Sequence, residues 1–204
     1  MTNLRTCLRA PIPEIAHAAK LLDEAASAHL SGNFELATQL LNESNFPTVR
    51  AWTESLWGAK SEYAPKKSLK SAPAARALER MPSSAMQLKL HARDGYHCRF
   101  CEIPVIRKAV RVRFRLLYPD VKIWGRKNSE QHAAFQAMWA QYDHVDPHSA
   151  GGANDLDNLI VTCAPCNYAR MDCTLEEAGL LDPRLRSRSF APWDGLERML
   201  TPKR

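Results

Sequence analysis

The sequence predicts an α+β chain: an all-α N-terminal module, a basic linker, and a small unit of two strands and a helix stapled by cysteines. Three observations carry this. Apolar residues fall three or four apart from residue 15 to residue 41, the period of one helix face. Four cysteines form two Cys-x-x-Cys pairs, Cys98/Cys101 and Cys163/Cys166. Between residues 142 and 170 a short segment Tyr142–Val145, a loop with paired glycines, a branched apolar stretch and a helix start follow one another. That order reads as strand, loop, strand, helix.

Taken in order, Ile15, Ala18, Leu22, Ala26 and Leu30 share one face. Ser31-Gly32-Asn33 breaks the pattern, and Phe34, Ala37, Leu40 and Leu41 resume it. The result is a helical hairpin resembling a single tetratricopeptide-like unit. One such unit cannot bury its own apolar face, so residues 1–63 are read as a helical cap that packs on the rest of the chain or on a protein partner. Trp52, Leu56 and Trp57 extend that surface. Residues 64–85, with three prolines and Lys66, Lys67 and Lys70, read as a basic linker. The second unit then covers 86–204 and carries a basic insertion at 102–140. The insertion's first part, Val105 to Tyr118, shows no clean period; its second, Ser129 to Gln141, has Ala133, Ala134, Ala137, Met138 and Ala140 at helical spacing.

A 45% hydrophobic content over 204 residues is that of a globular protein. Apolar runs are too short for a membrane span or a secretory signal, which predicts a soluble cytoplasmic chain with no membrane partner. The charge is unevenly spread. Residues 1–64 hold 5 basic and 7 acidic side chains, residues 65–80 hold 5 and 1, residues 81–130 hold 11 and 4, and residues 131–204 hold 7 and 10. A central basic stretch containing Arg107, Lys108, Arg111, Arg113 and Arg115, interleaved with Phe114, Tyr118 and Trp124, is the kind of footprint that meets phosphate. A solvated basic face without a partner fits charge alone equally well. Arg184, Arg186 and Arg188 alternate near the C-terminus and could touch backbone phosphates.

In a reducing compartment the cysteines are thiols, so spacing decides their meaning. Two Cys-x-x-Cys turns supply the four thiolates of a tetrahedral zinc site, Cys98, Cys101, Cys163 and Cys166. The 61 residues between the pairs exceed the spacing of a compact ribbon but leave the geometry of each turn unchanged. A redox dithiol fits less well, since it needs one pair on a βαβ unit. Cys7 and Cys173 are read as small buried hydrophobes.

The second pair has specific company: Gln141-Tyr142-Asp143-His144-Val145-Asp146-Pro147-His148, then Gly151-Gly152, then Leu156-Asp157-Asn158-Leu159-Ile160-Val161-Thr162-Cys163-Ala164-Pro165-Cys166-Asn167. With Arg93-Asp94-Gly95-Tyr96-His97-Cys98-Arg99-Phe100-Cys101 upstream, the chain resembles the HNH endonuclease family over roughly residues 90–101 and 141–172. The resemblance implies a ββα-metal nuclease core. It implies His144 as the general base that takes a proton from water, and Asp143 and Asn167 as ligands of one catalytic divalent ion, magnesium or manganese. Asn158 matches the motif's middle letter and is expected to hold the loop and orient His144. Arg170 is expected to clamp phosphate. The implied substrate is DNA, with RNA left open. The family's last letter is often histidine; here it is Asn167. His148 matches no catalytic letter and is read as a polar surface group, with a secondary metal or phosphate contact as the alternative, and His97 as superfluous beside four cysteines.

These readings predict a metal-dependent endonuclease, possible as the nuclease component of a larger antiviral defence or toxin assembly. The competing reading is a non-catalytic zinc-stabilised module that binds nucleic acid or protein. Binding alone needs none of an oxygen ligand at 143, a base at 144 and an amide at 167.

Overall fold

The first helix, α1 (Pro13–Leu30), starts on a proline, where the missing N–H is no loss. It buries Ile15, Ala18, Leu22 and Ala26 against α2 (Phe34–Glu43). Gly32, at φ +87°, and Asn33, whose side chain accepts from Leu36 N at 3.1 Å, make the turn between them. A third helix, α3 (Pro47–Ser55), was not resolved by the sequence spacing. It buries Val49 and Trp52, and the Trp52 indole N–H donates to the Ala10 carbonyl at 2.9 Å. The computed structural model describes residues 4–57, 61–66, 81–187 and 192–201. The expected linker lysines Lys67 and Lys70, and Arg188, lie outside the described residues.

Helix α4 (Ser84–Asp94) is capped by Ser83 and stops at Gly95, whose φ of +73° ends the helix. The Asp94-Gly95 pair is therefore a helix terminus. The first cysteine turn follows, closed by Cys98 N–H donating to the Ile103 carbonyl at 2.9 Å. Helix α5 (Lys108–Leu117) occupies the stretch whose period was unclear. Its core face is Val110, Arg111, Phe114 and Tyr118, and the guanidinium among them disguised the period. Helix α6 (Ala133–Ala137) is shorter than the alanine spacing suggested, because the chain turns into a strand at Ala140.

That strand, β1 (Ala140–His144), pairs antiparallel with β2 (Leu159–Cys163), with Tyr142 opposite Val161 and His144 opposite Leu159. Ile106 widens the sheet: its N–H donates to Met138 O at 2.6 Å, and its carbonyl accepts from Ala140 N at 2.9 Å. The expected insertion is thus bonded into the sheet edge. Directly after β2 comes α7 (Ala164–Arg170), which packs on both strands. Thr174 and Glu177 form a capping box at the start of α8 (Leu175–Ala178). The fold is mixed: helices with one small antiparallel two-stranded sheet among the described residues.

All five residues of β2 are buried. One hydrophobic cluster runs from Leu8 and the faces of α1–α3, through Phe114 and Phe135, to Ile160, Val161 and Met199. Helix α3 packs directly on α6. No described helix is long and apolar enough to cross a membrane.

Candidate active site

Cys98 and Cys101 lie on the first turn, Cys163 ends β2 and Cys166 lies on α7. All four sulfurs fall within 4.8 Å of one another and are buried. Cys101 Sγ and Cys163 Sγ are 3.6 Å apart, too far for a disulfide, whose sulfurs sit about 2.05 Å apart. The spacing suits a tetrahedral ion with metal–sulfur bonds of about 2.3 Å. Among the described residues this is the one cluster of three or more His, Cys, Asp or Glu side chains so arranged. Arg99 N–H donates to the Val161 carbonyl at 2.9 Å, so the first turn is also hydrogen-bonded to β2. Asp94 Oδ2 accepts from Val161 N–H at 3.1 Å, and Arg93 bridges Asp94 to the Leu159 carbonyl.

The end of β1, the start of the following loop and α7 line a cleft of about 550 Å³. Its polar lining includes Asp143, His144, His148, Asn167, Arg170 and Asp172, and Met81, Tyr168 and Met171 form its exposed rim. Asp143, His144 and Asn167, singled out from sequence, therefore face one space. A carboxylate and an amide oxygen are hard donors that fit a divalent ion such as magnesium or manganese.

Arg170 does not do what the sequence suggested. It is 1% exposed, and all five of its N–H groups are committed inside the protein. Nε and Nη2 grip Asp143 Oδ2 and Oδ1 at 2.9 and 2.8 Å. Nη1 donates to the carbonyls of Val145 and Cys173 at 3.2 and 2.7 Å, and Nη2 also to that of His144. No donor is left for a phosphate. Arg170 instead fixes the Asp143 carboxylate, which keeps lone-pair capacity for another partner. Burial pushes the Asp143 carboxyl above its ordinary value, and the charge and hydrogen bonds of Arg170 only partly oppose this.

Asn158 lies outside the cleft lining. Its side chain bonds to the loop and not to His144: Oδ1 accepts from Asp146 N–H at 2.8 Å, and Nδ2 donates to the carbonyls of Asp146 and Ala153 at 3.0 and 2.8 Å. Its carbonyl accepts from Val145 N–H at 2.8 Å. Gly152 completes the clamp, since a Cβ there would come within 1.8 Å of the Asp146 carbonyl oxygen.

The basic insertion divides. Arg111 is 6% exposed and lies over the rings of Trp124 and Trp139, 3.5 and 4.6 Å from their centroids; burial and the Arg115 charge pull its pKa down to about 10. Arg107 pairs through Nε and Nη2 with Glu197. Neither offers the free guanidinium expected of it, whereas Lys108, Arg113 and Arg115 are exposed. Arg184 pairs with Asp182 and Asp146, and Arg186 with Glu102 and the carbonyls of Arg99 and Phe100.

The sequence reading set His148 aside as a surface group, where the structure places it in the cleft lining, and it passed over Tyr168 and Asp172. Pro147 before His148 and the glycine pair after it were the available sign that this loop is built to hold a position. No curated protein and no solved structure matches the chain. The segment from 129 to 172, which holds the two strands, the loop between them and the second cysteine pair, matches the family model of HNH endonucleases.

Proposed function

We propose that the chain is a metal-dependent DNA endonuclease with a ββα-metal core, following an N-terminal helical module at 1–63 and a linker at 64–85. The observation that carries this reading is that Asp143, His144 and Asn167 line one cleft within the segment matching the HNH endonuclease family. His144 is the general base: an imidazole takes a proton from water near neutral pH. Asp143 and Asn167 hold the divalent ion, with Arg170 keeping the carboxylate in place. When bound, that ion neutralises charge building on the phosphate in the transition state. Asn158 acts at one remove, holding the loop that begins where β1 ends. Zinc at Cys98, Cys101, Cys163 and Cys166 pins α7, and with it Asn167, to the first cysteine turn.

Cleavage leaves a 5′-phosphate and a 3′-hydroxyl, as the resemblance implies. DNA is held by Lys108, Arg113 and Arg115 on the exposed side of α5. The exposed Leu30, Phe34 and Leu36 around the α1–α2 turn support a protein contact there, suited to docking the nuclease on a larger defence or toxin assembly. The test is cleavage of plasmid with magnesium or manganese, alongside metal analysis for one zinc per chain. His144→Ala should stay folded and lose activity by roughly 10²–10⁴-fold. Undiminished cleavage by that variant would remove His144 as the base. DNA binding without cleavage by the unmutated protein would favour the non-catalytic zinc module.

A further inference from the structure

Hydrolysis of a phosphodiester needs two proton transfers, one from the attacking water and one to the departing oxygen, and the motif supplies a residue only for the first. His148 stands in the same cleft. It opens the short 3₁₀ turn His148–Ala150, and its ring centroid is 5.5 Å from that of His144. Each imidazole has a hydrogen-bond reach of about 2.6–3.2 Å, so the two can meet opposite ends of one bound phosphodiester.

The loop holds His148 firmly. Pro147 precedes it, and the Pro147 carbonyl accepts from both Ala150 N–H at 2.8 Å and Gly152 N–H at 3.1 Å. Gly151 takes the left-handed conformation at φ +90°, and its N–H donates to the His148 carbonyl at 3.2 Å. Asn158 ties Asp146 from below, and Gly152 leaves no room for a Cβ. Five hydrogen bonds thus fix the backbone around one imidazole at the cleft wall.

The other titratable donors at the cleft suit the task less well: the Tyr168 hydroxyl stands on the exposed rim, and burial holds its pKa above the ordinary value, so it gives up a proton less readily than an imidazolium. Arg170 has no N–H to spare and does not give up a proton. The Tyr142 hydroxyl is paired with His91 Nε2 at 3.1 Å. Ser149 Oγ donates to Asp172 Oδ2 at 3.4 Å, and Asp172 is itself an acceptor.

We propose that His148 is the general acid of this site, giving its proton to the leaving 3′-oxygen; this rests on the nuclease reading above. As the water oxygen bonds to phosphorus, its proton passes to His144. As the bond between phosphorus and the 3′-oxygen breaks, the electron pair stays on that oxygen, which takes the proton from the imidazolium of His148. Water then reprotonates His148 and relieves His144.

The test uses two oligonucleotides of one sequence, an ordinary diester and one with sulfur replacing the bridging 3′-oxygen, both in manganese. A thiolate leaves without needing a proton. His148→Ala should lower kcat on the ordinary diester by roughly 10²–10⁴-fold with KM little changed. It should cut the sulfur-bridged substrate as fast as the unmutated protein does, which also certifies that the variant is folded. His144→Ala should be slow on both. Equal losses by His148→Ala on the two substrates, or none on the ordinary one, overturns the assignment. Failure of the unmutated protein to cut either substrate overturns the nuclease reading itself, and the inference with it.

Discussion

Arg170 and Asp143 are a buried ion pair in which one partner cannot be removed cheaply. Truncating the arginine leaves a buried carboxylate without its charge partner and three carbonyls without donors, a change that typically costs about 3–5 kcal/mol. Arg170→Met is therefore expected to lower unfolding stability by roughly that amount in a urea titration. A loss below about 1 kcal/mol, the scale of an exposed pair, would mean that the pair is not what holds Asp143. At this scale the meeting of Asp143, His144 and Asn167 at one cleft was legible in the sequence, because a motif names residue types at fixed spacing. The place of Arg170 was not. Whether a guanidinium faces water depends on where residues 144, 145 and 173 bring their carbonyls, and none of those groups differs between one side chain and another.

The elements are joined by neutral histidines that the sequence left unassigned. His132, just before α6, donates Nε2–H to the Leu41 carbonyl in α2 at 2.8 Å, and its Nδ1 is buried with no partner. His91, in α4, donates Nδ1–H to Gly95 O at 3.0 Å and accepts from the Tyr142 hydroxyl in β1 at 3.1 Å. Burial pulls both rings down from 6.5 to about 4. Arg107 adds to this at His91, where Glu197 and Asp94 oppose it, and Arg50 adds to it at His132. Between these values the unfolded chain binds protons that the folded chain refuses, so stability is full above about pH 6.5 and is lost as pH falls toward 4. Unfolding measured from pH 7 to pH 4 should show that decline, and replacing both histidines with glutamine should flatten it. An unchanged slope in the double variant would assign the acid sensitivity elsewhere. Strand and helix starts around the cleft were readable from branched residues, prolines and caps. Helix α5 was not, because Arg111 occupies a core position and stacks on Trp124 and Trp139, a tertiary rescue of a charge that local periodicity scores as exposed.

Over the whole molecule, charge counted along the chain overstates the surface available to a polyanion. Arg107, Arg111 and Arg170 are used internally, which leaves Lys108, Arg113 and Arg115 as the exposed members of the expected set. If each neutralises one phosphate, replacing any of the three with alanine should reduce the salt slope of DNA binding by about 1. Arg111→Ala should leave that slope unchanged, and equal effects at all four positions would contradict the division. The 61 residues between the cysteine pairs also set a clock during translation. At about 5–20 residues per second, the first pair waits roughly 3–12 seconds for the second to emerge. Until then no tetrahedral site exists and neither β2 nor α7 has been made. Arg99 waits longer still, for the carbonyls of Pro183, Arg186 and Ser187. A ribosome stalled before residue 159 would thus carry a helical head with two of the four cysteines and no surface on which Asp143 and Asn167 could meet.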